Sequence, residues 1–187
     1  MPTLPDKSFN SLRSIKPGLT LSRGLKLAFS TMGLLALAGC AQITSVPPGT
    51  SLATVEKEFG KPAVTCAGPN GTTRAIWSQM PDGEMAWATT VDARNHVGTF
   101  QQVLSPTVFE KLGQGTWTSS QVRCEFGPPA TVHIFPEKPN LSVWEYRFLN
   151  EENNYMIMYV YFETATNTVT RYSKGPDPEF NTLILGK

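Results

Sequence analysis

Self-similarity constrains this 187-residue chain more than any other feature of it. Val55-Glu56-Lys57-Glu58-Phe59-Gly60-Lys61-Pro62-Ala63 aligns with Val122-Arg123-Cys124-Glu125-Phe126-Gly127-Pro128-Pro129-Ala130, and the same step along the chain carries Trp77 to Trp144. With a few residues inserted in the second copy, Val91-Asp92 matches Phe162-Glu163 and Val97 matches Val169. Two occurrences of one pattern imply two copies of one folding unit, which excludes most large single-sheet architectures.

Each copy has a physical reading. Thr50-Ser51 and the run 116–119 supply N-cap hydroxyls, and Leu52, Val55 and Phe59, like Val122 and Phe126, recur at helical spacing. Gly60 and Gly127 stand where a C-terminal cap belongs, and Pro62 and Pro129 prevent the helix from continuing. Strands follow. In the first copy, runs 73–80 and 84–91 flank the turn sequence Pro81-Asp82-Gly83, and 97–104 makes a third run after Asn95. In the second copy, 143–149 and 155–162 flank a turn at 150–154, and 168–172 is the third run. A short helix at 106–112 precedes the second copy. The expectation is an α+β fold of two tandem two-layer units, each with one or more short helices packed on an antiparallel three-strand meander, because a bare hairpin needs a covering layer.

Upstream of the copies, an apolar run from Leu27 to Leu37 follows Arg23 and Lys26 and ends in Leu37-Ala38-Gly39-Cys40. A membrane-spanning helix needs about 20 apolar residues, and this run is about half that. Basic residues, a short apolar stretch and small residues at its end are the layout of a secretion signal. The cysteine makes it resemble the lipobox of bacterial lipoproteins, which implies cleavage before Cys40 and attachment of acyl chains, palmitate among them, to that residue. The expected organisation is a signal peptide with an extended n-region at 1–39, a tether at 40–48, a first unit at 49–105, a second at 106–174 and a tail at 175–187. Ala41 stands where an aspartate would hold an enteric lipoprotein in the inner membrane, so the resemblance implies the outer membrane, anchored by lipid and facing the periplasm.

The repeated Val-x-x-x-Phe-Gly-x-Pro pattern, with Trp144-Glu145-Tyr146 and the aromatic strand Tyr159-Val160-Tyr161-Phe162-Glu163, resembles the SmpA/OmlA (BamE-like) domain, present twice; the first copy has Trp77-Ser78-Gln79 in place of Trp-x-Tyr. The tandem arrangement also resembles the β-lactamase inhibitory protein. These resemblances imply a non-enzymatic, protein-binding lipoprotein in outer-membrane protein assembly or envelope integrity, with the barrel-assembly machinery as one partner. The alternative they imply is a periplasmic inhibitor-like protein that grips one enzyme through its tandem sheets.

The chemistry of the chain agrees with binding rather than turnover. No His-Glu-x-x-His, Cys-x-x-Cys, Gly-x-Ser-x-Gly or phosphate-cradling glycine loop occurs, and the two histidines, His96 and His133, lie beside turns or strands without a nucleophile set. We therefore expect no catalytic residues, metal, cofactor or small-molecule substrate. A formal net charge of +1 gives no argument for nucleic acid. With Cys40 acylated, two of the three cysteines remain. In an oxidising compartment Cys66 and Cys124 are a candidate disulfide pair, the alternative being a small buried thiol at Cys124 in the apolar pattern of its helix.

Alternation in the run 155–162 separates Met156, Met158, Val160 and Phe162 from Tyr155, Ile157, Tyr159 and Tyr161. In the neighbouring run, Glu145 and Arg147 alternate with Trp144, Tyr146 and Phe148, so the charged pair marks the solvent side. Tyr155, Ile157, Tyr159 and Tyr161 are thus candidate partner-binding residues, because rings with a polar end are enriched at interfaces. The corresponding open positions of the first copy are Ala86, Ala88 and Thr90. The alternatives are that the tail after Lys174, with Phe180, Leu183, Ile184 and Leu185, folds over this face, or that the two sheets pack against each other there.

Overall fold

The computed structural model describes residues 42–180. Cys40, expected to carry lipid, the expected signal segment 1–39 and the tail residues Leu183, Ile184 and Leu185 lie outside the described residues. The fold is α+β, with two antiparallel four-strand sheets and short helices. The elements are α1 (Leu52–Phe59), β1 (Val64–Ala67), β2 (Thr73–Ser78), β3 (Ala86–Val91), β4 (Gln101–Gln102), α2 (Pro106–Phe109), α3 (Ser119–Phe126), β5 (Thr131–Phe135), β6 (Lys138–Leu149), β7 (Tyr155–Glu163) and β8 (Thr168–Pro176). Each sheet is ordered as its strands occur in the chain, β1-β2-β3-β4 and β5-β6-β7-β8.

The helix boundaries follow from local chemistry. The Ser51 hydroxyl accepts from the Thr54 amide at the start of α1, and Thr118 and Gln121 form a reciprocal capping box at the start of α3. Both helices end at a glycine of positive φ, Gly60 at 78° and Gly127 at 88°, a conformation that a side chain would strain.

Both sheets have four strands rather than three. The added members, β1 and β5, follow the Gly-x-Pro stops directly and pair with β2 and β6. In the first sheet the third run, 97–104, narrows to a bridge between Val91 and Val97 and the two residues of β4. Gln102 explains part of this: its side-chain Oε1 accepts from the amides of Ala86 and Leu104, so a side chain satisfies donors that a ladder would otherwise engage. The second sheet is longer throughout, its β6–β7 hairpin closed by Asn150, whose Oδ1 accepts from the amides of Glu152 and Asn154. The helix at 106–112 is a single α turn continued as a 3-10 helix, Glu110–Gly113.

Two apolar clusters lie on opposite faces of the first sheet. On one face Ala75, Trp77 and Val91 pack with Val55 of α1 and with Ile43, Val97 and Phe100. On the other, Ile76, Ala86 and Ala88 join Phe109 and Leu112, Val122 and Phe126 of α3, and Tyr146, Phe148, Met158, Val160 and Phe162 of the second sheet. α1 therefore serves one face of the first sheet, while α2 and α3 share a core with both sheets. Ala86 and Ala88, expected to be open, are buried there. The physical reason is size: a methyl group lets the layer carrying Phe109 and Phe126 approach the strand, and Gly127 comes so close that an added Cβ would stand 3.2 Å from the Ile76 Cγ2.

A covalent and ionic clasp ties α3 to the first sheet. Cys66 of β1 and Cys124 of α3 are joined by a disulfide with Cα atoms 5.9 Å apart. Arg74, the cross-strand neighbour of Cys66, donates through Nε to the Cys124 carbonyl at 2.8 Å and through Nη2 to the Glu125 carbonyl at 3.0 Å. Those carbonyls belong to the last turn of α3, where a cation is favoured.

Within the expected tether, the described residues 42–48 are mostly exposed but held at two points. Ile43 is 6% exposed within the α1-side cluster, Val46 packs against it, and the Gly49 amide donates to the Val97 carbonyl.

Candidate functional site

The outer face of the second sheet gathers the residues singled out by alternation. Reading across the ladder, Val143 pairs with Tyr161 and Arg171, Glu145 with Tyr159 and Ser173, and Arg147 with Ile157 and Gly175. Directly paired residues share a face, so these three rows and Tyr155 make one surface. Met158, Val160 and Phe162 point the other way, into the common core.

The surface is not open over its whole length. Ile157 is only 3% exposed and is therefore removed from the candidate contact residues. The reason lies in the chain after β8. Tyr155 stacks on Phe180, ring centroids 4.3 Å apart and planes 10° from parallel. Arg147, across the ladder from Ile157, reaches the buried Asp177 at 3.3 Å and ion-pairs with Glu179, and its guanidinium lies 5.4 Å from the centre of the Phe180 ring. Residues 175–180 thus cover the Tyr155–Ile157 end, and Tyr155 is withdrawn with Ile157 from the accessible set.

Tyr159 and Tyr161 remain half-buried at the centre of the face. Tyr161 lies under a cation, the Arg171 guanidinium carbon standing 3.5 Å from the ring centre. Tyr159 lies beside Ser173 and Glu145, and a Cβ on Gly175 would touch its ring edge at 3.6 Å. Burial, then the neighbouring carboxylates of Glu145 and Asp177, pushes the Tyr159 phenol above its ordinary value, so the hydroxyl keeps its proton. Glu145 also meets the imidazole of His133, Nε2 to Oε1 being 2.9 Å. The group brings together two tyrosine rings, one of them under a guanidinium, two phenol hydroxyls, a cation and an anion. Arg171, not singled out from the sequence, and His133, read there only as a lone imidazole beside a strand, complete this patch; the (i, i+2) alternation of Arg171 with Ser173 on the last strand was the available signal.

Val132 and Ile134 on the edge strand β5 are 47% and 73% exposed, on the face turned toward the helices. At the corresponding first-sheet positions, only Thr90 of the three expected open residues is exposed. His96 sits in a turn with its Nδ1 3.7 Å from the Asp92 carboxylate, far along the chain from the tyrosine face. Asp92 accepts from the amides of His96 and Arg94, and these bonds, the one from His96 foremost, lower its pKa. Among the described residues no cluster of three or more His, Cys, Asp or Glu side chains is placed to hold a metal, and no helix is long and apolar enough to cross a membrane. Compared with known proteins, the chain matches no family model, no curated protein and no solved structure.

Proposed function

We propose that this protein is a non-enzymatic lipoprotein of the outer membrane, anchored through acylated Cys40, whose two helix-plus-sheet halves are tandem copies of one BamE-like unit and which binds an envelope protein through Tyr159 and Tyr161. The observation that carries the binding reading is the asymmetry of cover. The face of the first sheet that carries Ala86 and Ala88 is packed, whereas the corresponding outer face of the second presents two half-buried tyrosines beyond the reach of the α2 and α3 layer. Solvent-facing strand positions seldom carry adjacent rings without a partner for them. The anchor reading rests on the basic, apolar and small-residue order that ends at Cys40.

The test pairs two variants. Cys40→Ser should move the protein from the outer-membrane fraction to the soluble periplasm, since acyl chains hold it. Retention of that variant in washed membranes sinks the anchor. Tyr159→Lys with Tyr161→Lys should keep a near-normal melting temperature and lose the partner captured by crosslinking in solubilised envelopes. Barrel-assembly components in the wild-type capture support the assembly role, and a single soluble enzyme favours the inhibitor-like role. A double variant that fails to fold would return these tyrosines to the core and remove the proposed surface.

A further inference from the structure

The chain enters the described fold beside an apolar groove. Ile43, Phe59, Trp77, Met85 and Trp87 line it together with the exposed Lys61, and its volume is about 660 Å³. Trp77 and Trp87 are directly paired across β2 and β3, so their indoles stand side by side on the α1 face of the first sheet. The Trp77 indole N–H donates to the Gly60 carbonyl at 2.7 Å, which satisfies its polar end and leaves the ring as wall. Gln42, Ile43 and Thr44 form one side of the groove.

That last fact limits how far an anchor at Cys40 can lie from the groove. Cys40 precedes Gln42 by two residues, and a fully extended chain covers at most about 7 Å over that stretch. Ile43 is held in the core, so an acyl anchor at Cys40 is tied by that short reach to the side of the groove that Gln42 lines. Acyl chains on Cys40 would therefore enter the bilayer beside a pocket lined by two tryptophans, a phenylalanine and a methionine. Tryptophan rings favour the headgroup level of a bilayer, and an exposed lysine can extend its stem over apolar surface while its ammonium reaches lipid phosphate.

We propose that this groove seats the domain on the membrane: its occupant is the interfacial region of the bilayer around the anchor, with Trp87 as the principal contact. This inference rests on the lipid-anchor reading and goes beyond it by fixing the orientation. The groove lies on the α1 face of the first sheet, and Tyr159 and Tyr161 lie on the outer face of the second, with the shared core between the two sheets. A domain seated by the groove holds the tyrosine face away from the lipid, toward the periplasm.

The experiment uses the full chain, purified from membranes and reconstituted into phosphatidylethanolamine–phosphatidylglycerol vesicles whose acyl chains carry bromine. Two of the four tryptophans line the groove, so bromine should quench up to about half of the tryptophan emission if interfacial rings carry the contact. Trp87→Phe should abolish most of that quenching, and Trp144→Phe should leave it intact. Should Trp87→Phe not fold, the exposed Lys61 provides a second probe. Lys61→Cys bearing an environment-sensitive dye should shift to the blue on reconstitution. Acylated protein that shows neither quenching nor a dye shift overturns the seating and leaves the anchor intact. Intact mass showing Cys40 without acyl chains overturns the anchor reading and the seating with it.

Discussion

The two sheets differ in what their matching faces carry, and that difference decides what each face does. Counted back from the aligned pair Val91 and Phe162, the first sheet has Ala86, Ala88 and Thr90 where the second has Ile157, Tyr159 and Tyr161. The alanines are buried beneath α2, α3 and the second sheet, so the face of the first sheet that carries them is internal. Among the described residues no such layer lies above the tyrosines, and residues 175–180 close the Tyr155 end. A strand face of methyl groups admits close neighbours, whereas a face of rings keeps them at a distance. Side-chain size at three positions thus separates an inner surface from an outer one.

Exchanging the two characters should have the largest effect. Ala86→Tyr with Ala88→Tyr would force two rings into a filled core, where overpacking costs up to about 3 kcal/mol per site and two sites rival the whole stability of a domain. The double variant should fail to give a cooperative thermal transition. Tyr159→Ala with Tyr161→Ala, the reverse exchange on the other sheet, should lose only about 1 to 2 kcal/mol in urea unfolding, because these side chains are partly hydrated already. Equal losses from the two doubles would refute the distinction between the faces.

Next in size is the clasp between α3 and the first sheet. Cys66 and Cys124 are separated by 58 residues, for which the chain-entropy account of a cross-link gives about 4 kcal/mol. Cys66→Ser with Cys124→Ser should lower the urea midpoint accordingly. Arg74 keeps its bonds to the α3 carbonyls in that variant, so the loosening should be thermodynamic and the helix should remain in place. Amide exchange that accelerates across α3 and β1 while the second sheet stays protected would sharpen the picture, and uniform acceleration would show that the two sheets unfold as one.

How far the sequence disclosed this arrangement depended on the kind of signal. Both eight-residue helices were legible, because hydroxyl caps, apolar spacing and Gly-x-Pro stops all act within a few residues. β1 and β5 were not, since each is short and begins directly after a proline stop. Ala86 and Ala88 misled for a different reason: alanine is equally at home on an open strand and under a close-packed layer, and only the tertiary position of Phe109 and Phe126 decides between them. Ile157 and Tyr155 were placed on the correct face, yet their cover comes from Asp177, Glu179 and Phe180, whose reach over the sheet no strand periodicity encodes. The packed entry at Ile43 likewise depends on a distant partner, Val97, and reads locally as part of a Pro-Gly tether.

A third contrast separates the inner tyrosine of the second sheet from the outer ones. Tyr146 is fully buried, and its hydroxyl donates to the Gly127 carbonyl at 3.2 Å. Burial raises its pKa well above the ordinary value of 10.0. The folded state therefore retains a proton that the unfolded chain gives up at that pH. Its contribution to stability is fully present below pH 10 and falls by about 1.4 kcal/mol for each further unit as the pH climbs toward the folded-state value. Tyr146→Phe should cost about 1 kcal/mol at neutral pH, the value of one hydrogen bond, and should flatten the loss between pH 10 and 11. Tyr159, raised in the same direction at a more accessible site, should leave a smaller residual slope. Urea midpoints at pH 8, 10 and 11 would decide it, and an unchanged slope in the phenylalanine variant would remove Tyr146 from the account.

The smallest effect should come from Arg171, and it bears most directly on whether the outer face is free. Its guanidinium stacks on Tyr161 at 3.5 Å from strand β8, with the arginine itself exposed. At an exposed site such a contact stabilises by about 0.5 to 1 kcal/mol, and part of that is lost to the ordering of a long side chain. Arg171→Ala should therefore lower stability by no more than about 1 kcal/mol, while uncovering the ring that a partner would meet. If the tyrosine face is a contact surface, the same variant should change partner capture far more than it changes melting. A loss of several kcal/mol would instead mean that Arg171 and Tyr161 belong to a closed, internally packed layer, and the contrast between a covered first sheet and an open second sheet would fail at that row.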